Sequence, residues 1–502
     1  KRDSVLTDIN LSDKKARNLL ICFFIIYTLY SGGITILKHL CWLTEAFDSG
    51  IFTQIFYSIN KNFTPVSTLE NPYASSHFGI HVSPFLYVIA PGFLLFPSTI
   101  YLITLQVLFQ GSSVFPLFKI AKLRRMTNFQ ALLMVLILLL NPIMINTLLY
   151  SFHVYEMSIP LILWLLYFME KRKLKYAFMA ALLVMLVRED MGIICFCIGL
   201  YGWLALKEKR YILMSVFAVI WFYIAVKIII PAGDGQMFFD RYKTLMIDGT
   251  GMLEVIKTSL RNPLYVLQVM FNKQKLFFII QMLIPFLFIP LLRLRGLILL
   301  LPAVVMHLLS SHIPQHTLYH QYPAVTLVLC AYLATANSAF IRRKKLLTQA
   351  LVIGALLTLM LRASYTRNHL HYVQMYTKNR QRIEILNAVK TKVPEQSGVS
   401  ASWYLASHYA ARNNLRVFPD STDCDFIVLD LRYPKTPNFP PSAFIRALIT
   451  KAKEGYKVVL YRRGCCLVLK KGYGDPVSRQ LIQDIMNCWK LPVRNPGRSA
   501  EK

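Results

Sequence analysis

Long apolar runs alternate with short basic clusters over the first two thirds of the chain. The first run, residues 19–37, is long enough to cross a bilayer as a helix, and Lys14, Lys15 and Arg17 precede it. Because positive residues favour the cytoplasmic side, this pattern predicts a cytoplasmic N-terminus. Continued along the chain, it predicts about eleven spans, several so short that they need burial inside a bundle. The predicted spans are residues 19–37, 101–120, 131–149, 159–168, 177–187, 192–206, 212–230, 276–292, 297–309, 325–340 and 347–361, with 85–96 re-entrant or interfacial.

The same pattern sorts the loops onto two faces. Compact basic clusters fall on one side, and histidines and carboxylates fall on the other. An odd number of spans also places the residues after Arg362 on the second side. We therefore predict an integral protein of the cytoplasmic membrane with a polytopic membrane domain, residues 1–363, and an extracytoplasmic domain, residues 364–502. The loops expected to carry chemistry are residues 47–84, 150–158, 188–190, 231–275 and 310–322.

The tail has the pattern of a small soluble α/β domain. Its apolar spacing predicts helices over residues 383–392, 404–412 and 443–453. It predicts strands over 398–401, 416–418 and 426–430, and a hairpin that pairs 457–461 with 466–469. The expected fold class is thus mainly α: a polytopic helical membrane protein with a C-terminal soluble α/β domain.

Composition supports the membrane class. The 502 residues are 55% hydrophobic, and the formal net charge is +31. A charge of this size also occurs in nucleic-acid-binding proteins, but here most basic residues lie in short runs between apolar segments or in the tail. We therefore expect the lipid bilayer, and no nucleic acid, as a partner. The nine cysteines are interpreted mainly as free thiols.

The loop after the first span carries the most informative residues. Asp48 opens an amphipathic run, and His77 and His81 close the loop before the next apolar stretch. A carboxylate at the membrane boundary is expensive to desolvate and persists where it is paired or used. Asp48 can serve as a catalytic base, as a helix N-cap, or as both.

Two later loops offer further acidic candidates. His153 and Glu156 lie three apart in a turn, for which a helix cap with a polar turn is the alternative. Arg188, Glu189 and Asp190 end a short apolar run, and an internal ion pair is the alternative there.

The remaining candidates are basic and histidine residues. Arg241 and Lys243 suit a lipid phosphate, or else belong to a solvated loop. His312, His316 and His320 would share a helical face and could bind a transition metal, but Pro314 interrupts such a helix. We expect only one of these histidines, together with Tyr319 or Tyr322, to reach a cavity.

Several motifs together resemble one family. They are Phe47-Asp-Ser-Gly-Ile-Phe-Thr-Gln54, His77-Phe-Gly-Ile-His-Val-Ser-Pro84, Phe152-His153, Arg188-Glu-Asp190 and a tail pattern between Val399 and Asp430. The combination resembles the predicted membrane protein family called domain of unknown function 2079, DUF2079, over nearly the whole chain. That family is in turn similar to GT-C class glycosyltransferases. The resemblance implies transfer of a sugar from a polyprenyl-phosphate donor to an extracytoplasmic glycan, lipid or protein acceptor.

The resemblance also suggests residue roles. Asp48 would match the first-loop acid that deprotonates the acceptor or helps to hold a metal. Glu156, Glu189 and Asp190 match later acids only loosely, because the paired acids of some branches are missing, so a divalent metal cofactor stays open. The catalytic candidates are Asp48, His81, His153, Glu156, Glu189 and Asp190. The substrate-binding candidates are Gln54, His77, Arg188, Arg241, Lys243, His320 and Tyr322.

The expected activity is thus an inverting glycosyl transfer, since one attack assisted by one base inverts the anomeric carbon. A transporter or flippase of lipid-linked or anionic substrates is the alternative, although it calls for polar residues deep within spans and preferably internal symmetry. A histidine-rich membrane metalloprotein is the second alternative.

The topology gives a direct test. We expect single cysteines introduced in the 122–125 and 310–322 loops to react with a membrane-impermeant thiol reagent from opposite faces of sealed vesicles. Labelling of both loops from one side would contradict the predicted arrangement.

Overall fold

The protein is described from a computed structural model, which covers residues 11–70, 76–235, 240–365, 369–432 and 439–489. The chain divides into two compact units. The first, here called the helical unit, comprises Lys1–Ile36, Ser76–Pro91 and Leu102–His369. The second, here called the sheet unit, comprises Leu37–Ser75, Gly92–Tyr101 and Leu370–Lys502.

Helices dominate the part of the chain that the structure describes. The α-helices in chain order are α1 (Asp13–Leu40), α2 (Ile51–Asn62), α3 (Phe85–Ile89), α4 (Thr99–Ser112), α5 (Val114–Leu123), α6 (Asn128–Leu140), α7 (Pro142–Tyr150), α8 (Ser158–Glu170), α9 (Leu174–Val187), α10 (Met191–Leu204), α11 (Ile212–Ile224), α12 (Ile230–Ala232), α13 (Met252–Arg261), α14 (Pro263–Met270), α15 (Lys273–Leu283), α16 (Leu301–Ala303), α17 (Ala324–Asn337), α18 (Lys344–Tyr365), α19 (Leu370–Lys378), α20 (Arg380–Lys392), α21 (Trp403–Ala406), α22 (Pro441–Lys453) and α23 (Arg479–Cys488).

Among the described residues, five helical segments are long and apolar enough to cross a membrane. Four of them are Asp13–Leu40, Thr99–Leu123, Asn128–Tyr150 and Lys209–Ala232, and the fifth begins with α18 at Lys344. Shorter apolar helices include Leu174–Val187, Met191–Leu204 and Ala324–Phe340. The expectation of a polytopic helical bundle with short internal segments is therefore confirmed, whereas the count of about eleven spans stays a prediction.

Burial separates central helices from peripheral ones. All residues of α17 are buried, and 89% of the most apolar window of Asn128–Tyr150 is buried, compared with 22% for Lys209–Ala232. Side-chain caps begin two of the central helices. Thr127 and Gln130 form a capping box at the start of α6. At the start of α7, the Asn141 side chain accepts from the Ile143 N–H.

Two predicted spans are not continuous helices. Residues 276–292 contain the end of α15 and then short 3₁₀ turns over Ile284–Phe286 and Ile289–Leu292. Residues 297–309 pass through a 3₁₀ segment, the short α16 and a π-helical turn, Val304–Leu308. Pro285, Pro290 and Pro302 each lack the N–H that a continuing helix needs, which accounts for the breaks.

The sheet unit contains the strands of the tail. They are β1 (Val399–Ala401), β2 (Leu415–Val417), β3 (Phe426–Asp430), β4 (Tyr456–Arg462) and β5 (Cys466–Lys471). Their order is β2-β1-β3-β5-β4, with parallel β2-β1 and β1-β3 pairs and antiparallel β3-β5 and β5-β4 pairs. The α/β character of the tail is thus confirmed. Its division from a membrane domain at residue 363 stays a prediction, because residues 37–75 form one compact unit with the tail.

One predicted tail element is wrong. The expected helix over 404–412 stops at Ala406 and continues only as a 3₁₀ turn, Ser407–Tyr409. Arg412 folds back and donates to the carbonyl oxygens of Tyr409, at 2.6 Å, and Ser397, at 2.8 Å. These contacts satisfy carbonyl groups outside a helix and turn the chain toward β2.

The packing of the tail predicts a stability change. Phe444 of α22 is 1% exposed in a core with Phe418, Ile427 and Leu467. We expect Phe444→Ala to lower the free energy of unfolding of the tail by about 3–5 kcal/mol, because the truncation leaves a cavity. Hydrogen exchange at β3 and β5 measures this change. Val459→Ala, at a position 44% exposed on β4, is the control and should change little. Equal protection in Phe444→Ala and wild type would contradict the assigned core.

Candidate functional site

A group of charged and aromatic side chains, here called the arginine–tyrosine cluster, lies in the helical unit. It consists of Tyr155, Arg188, Asp190, Arg241 and Tyr322. Arg188 and Asp190 occupy the break between α9 and α10, where Arg188 adopts an extended conformation. Its Nε donates to Asp190 Oδ1 at 2.8 Å, and its Nη2 donates to Asp190 Oδ2. The expected internal ion pair is therefore present, and both side chains are buried.

Each of the two arginines packs its guanidinium against an aromatic ring. The guanidinium of Arg188 lies 4.3 Å from the centre of the Tyr155 ring, and that of Arg241 lies 5.1 Å from the Tyr322 ring. Burial raises the pKa of Tyr155, and Asp190 raises it further, whereas Arg188 and Arg241 lower it. The two ring contacts involve residues of three separate loops for the arginines and Tyr322, and Tyr155 adds a fourth.

The loop that carries Arg241 is attached to the 310–322 loop. The carbonyl oxygen of Arg241 accepts from the Ser311 N–H at 2.7 Å and from the Ser310 hydroxyl at 3.2 Å. With its amide oriented to donate to Met306 O, Gln315 accepts from Arg241 Nη1 at 3.2 Å. Among the described side chains no carboxylate pairs with Arg241. Its guanidinium thus has the capacity to bind an oxyanion.

Glu189 makes a separate pair with His81. Its Oε1 lies 2.9 Å from His81 Nδ1, and its Oε2 accepts from the Val82 N–H at 2.9 Å. Burial acts to raise the pKa of Glu189, but the hydrogen bond and charge of His81, with Arg188 nearby, hold it below its usual range. The carboxylate is therefore ionised and orients the partly exposed imidazole.

The His77–Gly79 turn has a close backbone neighbour. A Cβ on Gly79 would lie 2.1 Å from the carbonyl oxygen of Gly233, so only glycine fits there. His77 is 2% exposed, and its ring centre lies 6.2 Å from that of His81. The structure thus brings His77, His81 and Glu189 together.

Glu156 lies apart from the arginine–tyrosine cluster, inside the bundle. Its Oε2 accepts from Gln106 Nε2 at 2.7 Å and from Gln110 Nε2, and its side chain is fully buried. Gln110 in turn accepts from Tyr27 OH at 2.7 Å and donates to Thr147 at 2.9 Å. Burial raises the pKa of Glu156 to about 7. A catalytic role for Glu156 stays a prediction, and its contacts favour a structural one.

The other histidine candidates form an aromatic row. The Tyr150 ring lies 5.8 Å from that of His153 and 4.7 Å from that of His320, and Thr317 Oγ1 lies 2.9 Å from His320 Nδ1. Lys243 is exposed in the Asp240–Leu245 turn.

The structure tests the three-histidine face directly. Residues Ile313–His316 form only a short 3₁₀ turn around Pro314, so the expected interruption is confirmed. Within the described ranges no three His, Cys, Asp or Glu side chains group in a way that could hold a metal ion.

The first-loop candidates belong to the sheet unit. Asp48 has φ 59° and ψ −76°, a conformation that L-residues rarely adopt. Its carbonyl oxygen accepts from the Ile51 N–H, but the N-cap of α2 is Gly50. Asp48 is therefore not the N-cap, and its role as a catalytic base stays a prediction.

Gln54 is buried and fully hydrogen-bonded. Its amide donates to Thr68 Oγ1 at 2.9 Å and to the Arg412 and Asn413 carbonyls at 3.1 Å, and its Oε1 accepts from Ser67 at 2.9 Å. These contacts favour a structural role, and its substrate-binding role stays a prediction.

Sequence reasoning missed three residues that the structure makes prominent. The ring of Tyr155 packs against the guanidinium of Arg188, and the amides of Gln106 and Gln110 donate hydrogen bonds to Glu156. The two glutamines had a visible signal, because polar residues four apart in an apolar helix share a face. Tyr155 had none, because an aromatic residue in a short turn is common.

The buried carboxyl group of Glu156 predicts that the stability of the protein depends on pH. A carboxyl whose pKa rises from its usual 4.5 to about 7 on folding binds its proton more tightly in the folded state. Its contribution to stability is therefore greatest below about pH 4.5 and declines as the pH rises through about 7. We expect wild type to lose more thermal stability than Glu156→Gln between pH 5 and pH 8, measured in detergent. Parallel curves for the two proteins would contradict a buried, proton-binding Glu156.

Comparisons with known proteins agree with this architecture. The family model DUF2079, "Predicted membrane protein", matches residues 38–467. The structure of ArnT from Cupriavidus metallidurans bound to undecaprenyl phosphate aligns with a TM-score of 0.55 and 11% identity, covering 91% of this chain and 98% of ArnT. Apo ArnT aligns with a TM-score of 0.53 and 11% identity, covering 90% and 98%. No curated protein matches the sequence. The expected GT-C fold is thereby confirmed.

Proposed function

The chain belongs to the DUF2079 family of predicted membrane proteins and has a GT-C fold similar to that of ArnT, and on this basis we propose that it is a membrane glycosyltransferase. The proposed reaction transfers a sugar from a polyprenyl-phosphate donor to an extracytoplasmic glycan, lipid or protein acceptor. The arginine–tyrosine cluster carries this proposal, because it offers an oxyanion a guanidinium that no described carboxylate neutralises. One similar structure holds undecaprenyl phosphate, which fits a lipid-phosphate ligand.

The two arginines have different proposed tasks. Asp190 already neutralises Arg188, so Arg188 holds the shape of the cluster over Tyr155. Arg241 binds the phosphate of the donor and stabilises the charge that develops as the sugar leaves. A divalent metal at Asp190 or Glu189 would have to displace Arg188 or His81 from its carboxylate.

Asp48 is the proposed base. Its carboxylate removes a proton from the acceptor hydroxyl while the oxygen attacks the anomeric carbon, and the polyprenyl phosphate leaves with the bonding electrons. One displacement inverts the anomeric configuration. The strained backbone of Asp48, at a cost of about 1–3 kcal/mol, is of the kind that persists at functional sites.

One observation favours a transporter or flippase as the second candidate. Tyr27, Gln110 and Glu156 form a polar network inside the helix bundle, where transporters commonly place polar side chains. A transporter would move the lipid-linked substrate without cleaving it, so release of polyprenyl phosphate separates the two functions.

The test uses purified protein in liposomes with a panel of polyprenyl-phosphate sugars. Water serves as a slow acceptor, and release of free polyprenyl phosphate is measured. We expect Asp48→Asn to reduce release by about 10²–10⁴-fold, because a general base contributes about that much, while donor binding is kept.

Glu70→Gln, a carboxylate of the same loop, is the matched control and should release polyprenyl phosphate at the wild-type rate. Release by Asp48→Asn at the wild-type rate would remove Asp48 as the base. Movement of the donor across the bilayer without any release would favour the transporter.

A further inference from the structure

The two connected helices α13 and α14, here called the hairpin, expose large apolar side chains and bury two polar ones. Leu253 and Leu260 share one face of α13 and are 73% and 78% exposed, Leu264 of α14 is 76% exposed, and Glu254 and Thr258 are buried. A helix that faces water normally exposes polar side chains and buries apolar ones. Both helices are too short to cross a bilayer. The exposed face is therefore suited to an apolar environment that the helices do not span.

The buried face of the hairpin packs on the turn that carries Arg241. Its small core comprises Leu245, Val255 and Val266, with Tyr242 and Leu309 packed against it. Tyr265 OH donates to the carbonyl oxygen of Thr244 at 2.9 Å, and Lys275 Nζ of the next helix, α15, donates to that of Leu308 at 2.6 Å. The hairpin thus contacts the Arg241 turn and, through Leu309, the residue just before the 310–322 loop.

The apolar face continues along the chain into other exposed apolar surfaces. Before the hairpin, the segment Lys209–Ala232 exposes Phe217 (55%) and Ile220 (48%), as expected for a helix facing lipid. After it, α15 exposes Phe277 (56%). The hairpin therefore lies, in sequence, between surfaces of the kind that face acyl chains.

Exposed cations accompany the apolar face. Lys257 and Arg261 lie along the edge of the α13 face that contains Leu253 and Leu260, and Lys273 comes shortly after the end of α14. This arrangement is typical of interfacial helices, whose cations lie at lipid phosphates. A second copy packed on the same face would bring like charges together, which disfavours self-association.

We propose that the α13–α14 hairpin lies in the outer leaflet of the bilayer, with its leucine face among acyl chains and Lys257 and Arg261 at lipid phosphates. By its packing on Tyr242 it holds Arg241 at the depth of the donor phosphate. This second role rests on the proposed function, whereas the lipid contact does not.

The lipid contact is tested on the full chain in liposomes of phosphatidylethanolamine and phosphatidylglycerol. A spin label at Leu260→Cys, with the exposed Cys22 and Cys488 replaced by serine, reports its surroundings. Val459→Cys, an apolar and 44% exposed position of the tail sheet, is the matched control. We expect oxygen to relax the Leu260 label more than a water-soluble nickel chelate does, and the reverse at Val459.

Two results would overturn the lipid contact. One is a Leu260 label as accessible to the nickel chelate as the Val459 label. The other is dipolar broadening between Leu260 labels that disappears on dilution with unlabelled protein, which would identify a second copy as the occupant.

Enzyme kinetics test the second role. We expect the Leu253→Ser/Leu260→Ser double variant to raise KM for a long-chain donor about tenfold, equivalent to about 1.4 kcal/mol, with kcat unchanged. KM for a water-soluble short-chain donor should stay constant, and Val459→Ser should change neither. Equal rises in KM for both donors would contradict lipid positioning. If wild type turns over neither donor, the proposed function fails, while the spin-label result still decides the lipid contact.

Discussion

Pairing of buried charges determines how the helical unit presents its polar loops. Removing one partner of a buried ion pair generally costs about 3–5 kcal/mol, because the remaining charge is left uncompensated. Three consecutive residues between α9 and α10 meet this constraint in two ways: Arg188 binds Asp190, and Glu189 binds His81. In this arrangement each of the three charged side chains at the break has a partner.

These pairs also decide which charge remains for a substrate. Asp190 forms its ion pair with Arg188 and therefore does not neutralise Arg241. Arg241 is held instead by its backbone, through Ser311, and by the ring of Tyr322. A cation that is held without a carboxylate keeps its electrostatic attraction for an anion. Arg188 and Asp190 thus position the cluster, whereas Arg241 keeps its charge for a ligand.

The first loop depends on the tail in a similar way. Gln54 bridges Thr68 and the carbonyl oxygens of Arg412 and Asn413, so α2 and the tail fold as parts of one compact unit. A strained residue such as Asp48 persists only where the surrounding structure holds it. The conformation proposed to carry the base is therefore a property of the assembled sheet unit.

The sequence alone determined what depends on local spacing. Apolar runs predicted the helices, the short apolar run at Phe426–Asp430 predicted β3, and Pro314 predicted the interrupted histidine helix. The tertiary structure decided the contacts between distant segments, such as Tyr155 under Arg188 and Gln54 against the tail. It also decided that Glu156 meets Gln106 inside the bundle. Residue spacing specifies which face a side chain occupies, but only packing specifies what that face meets.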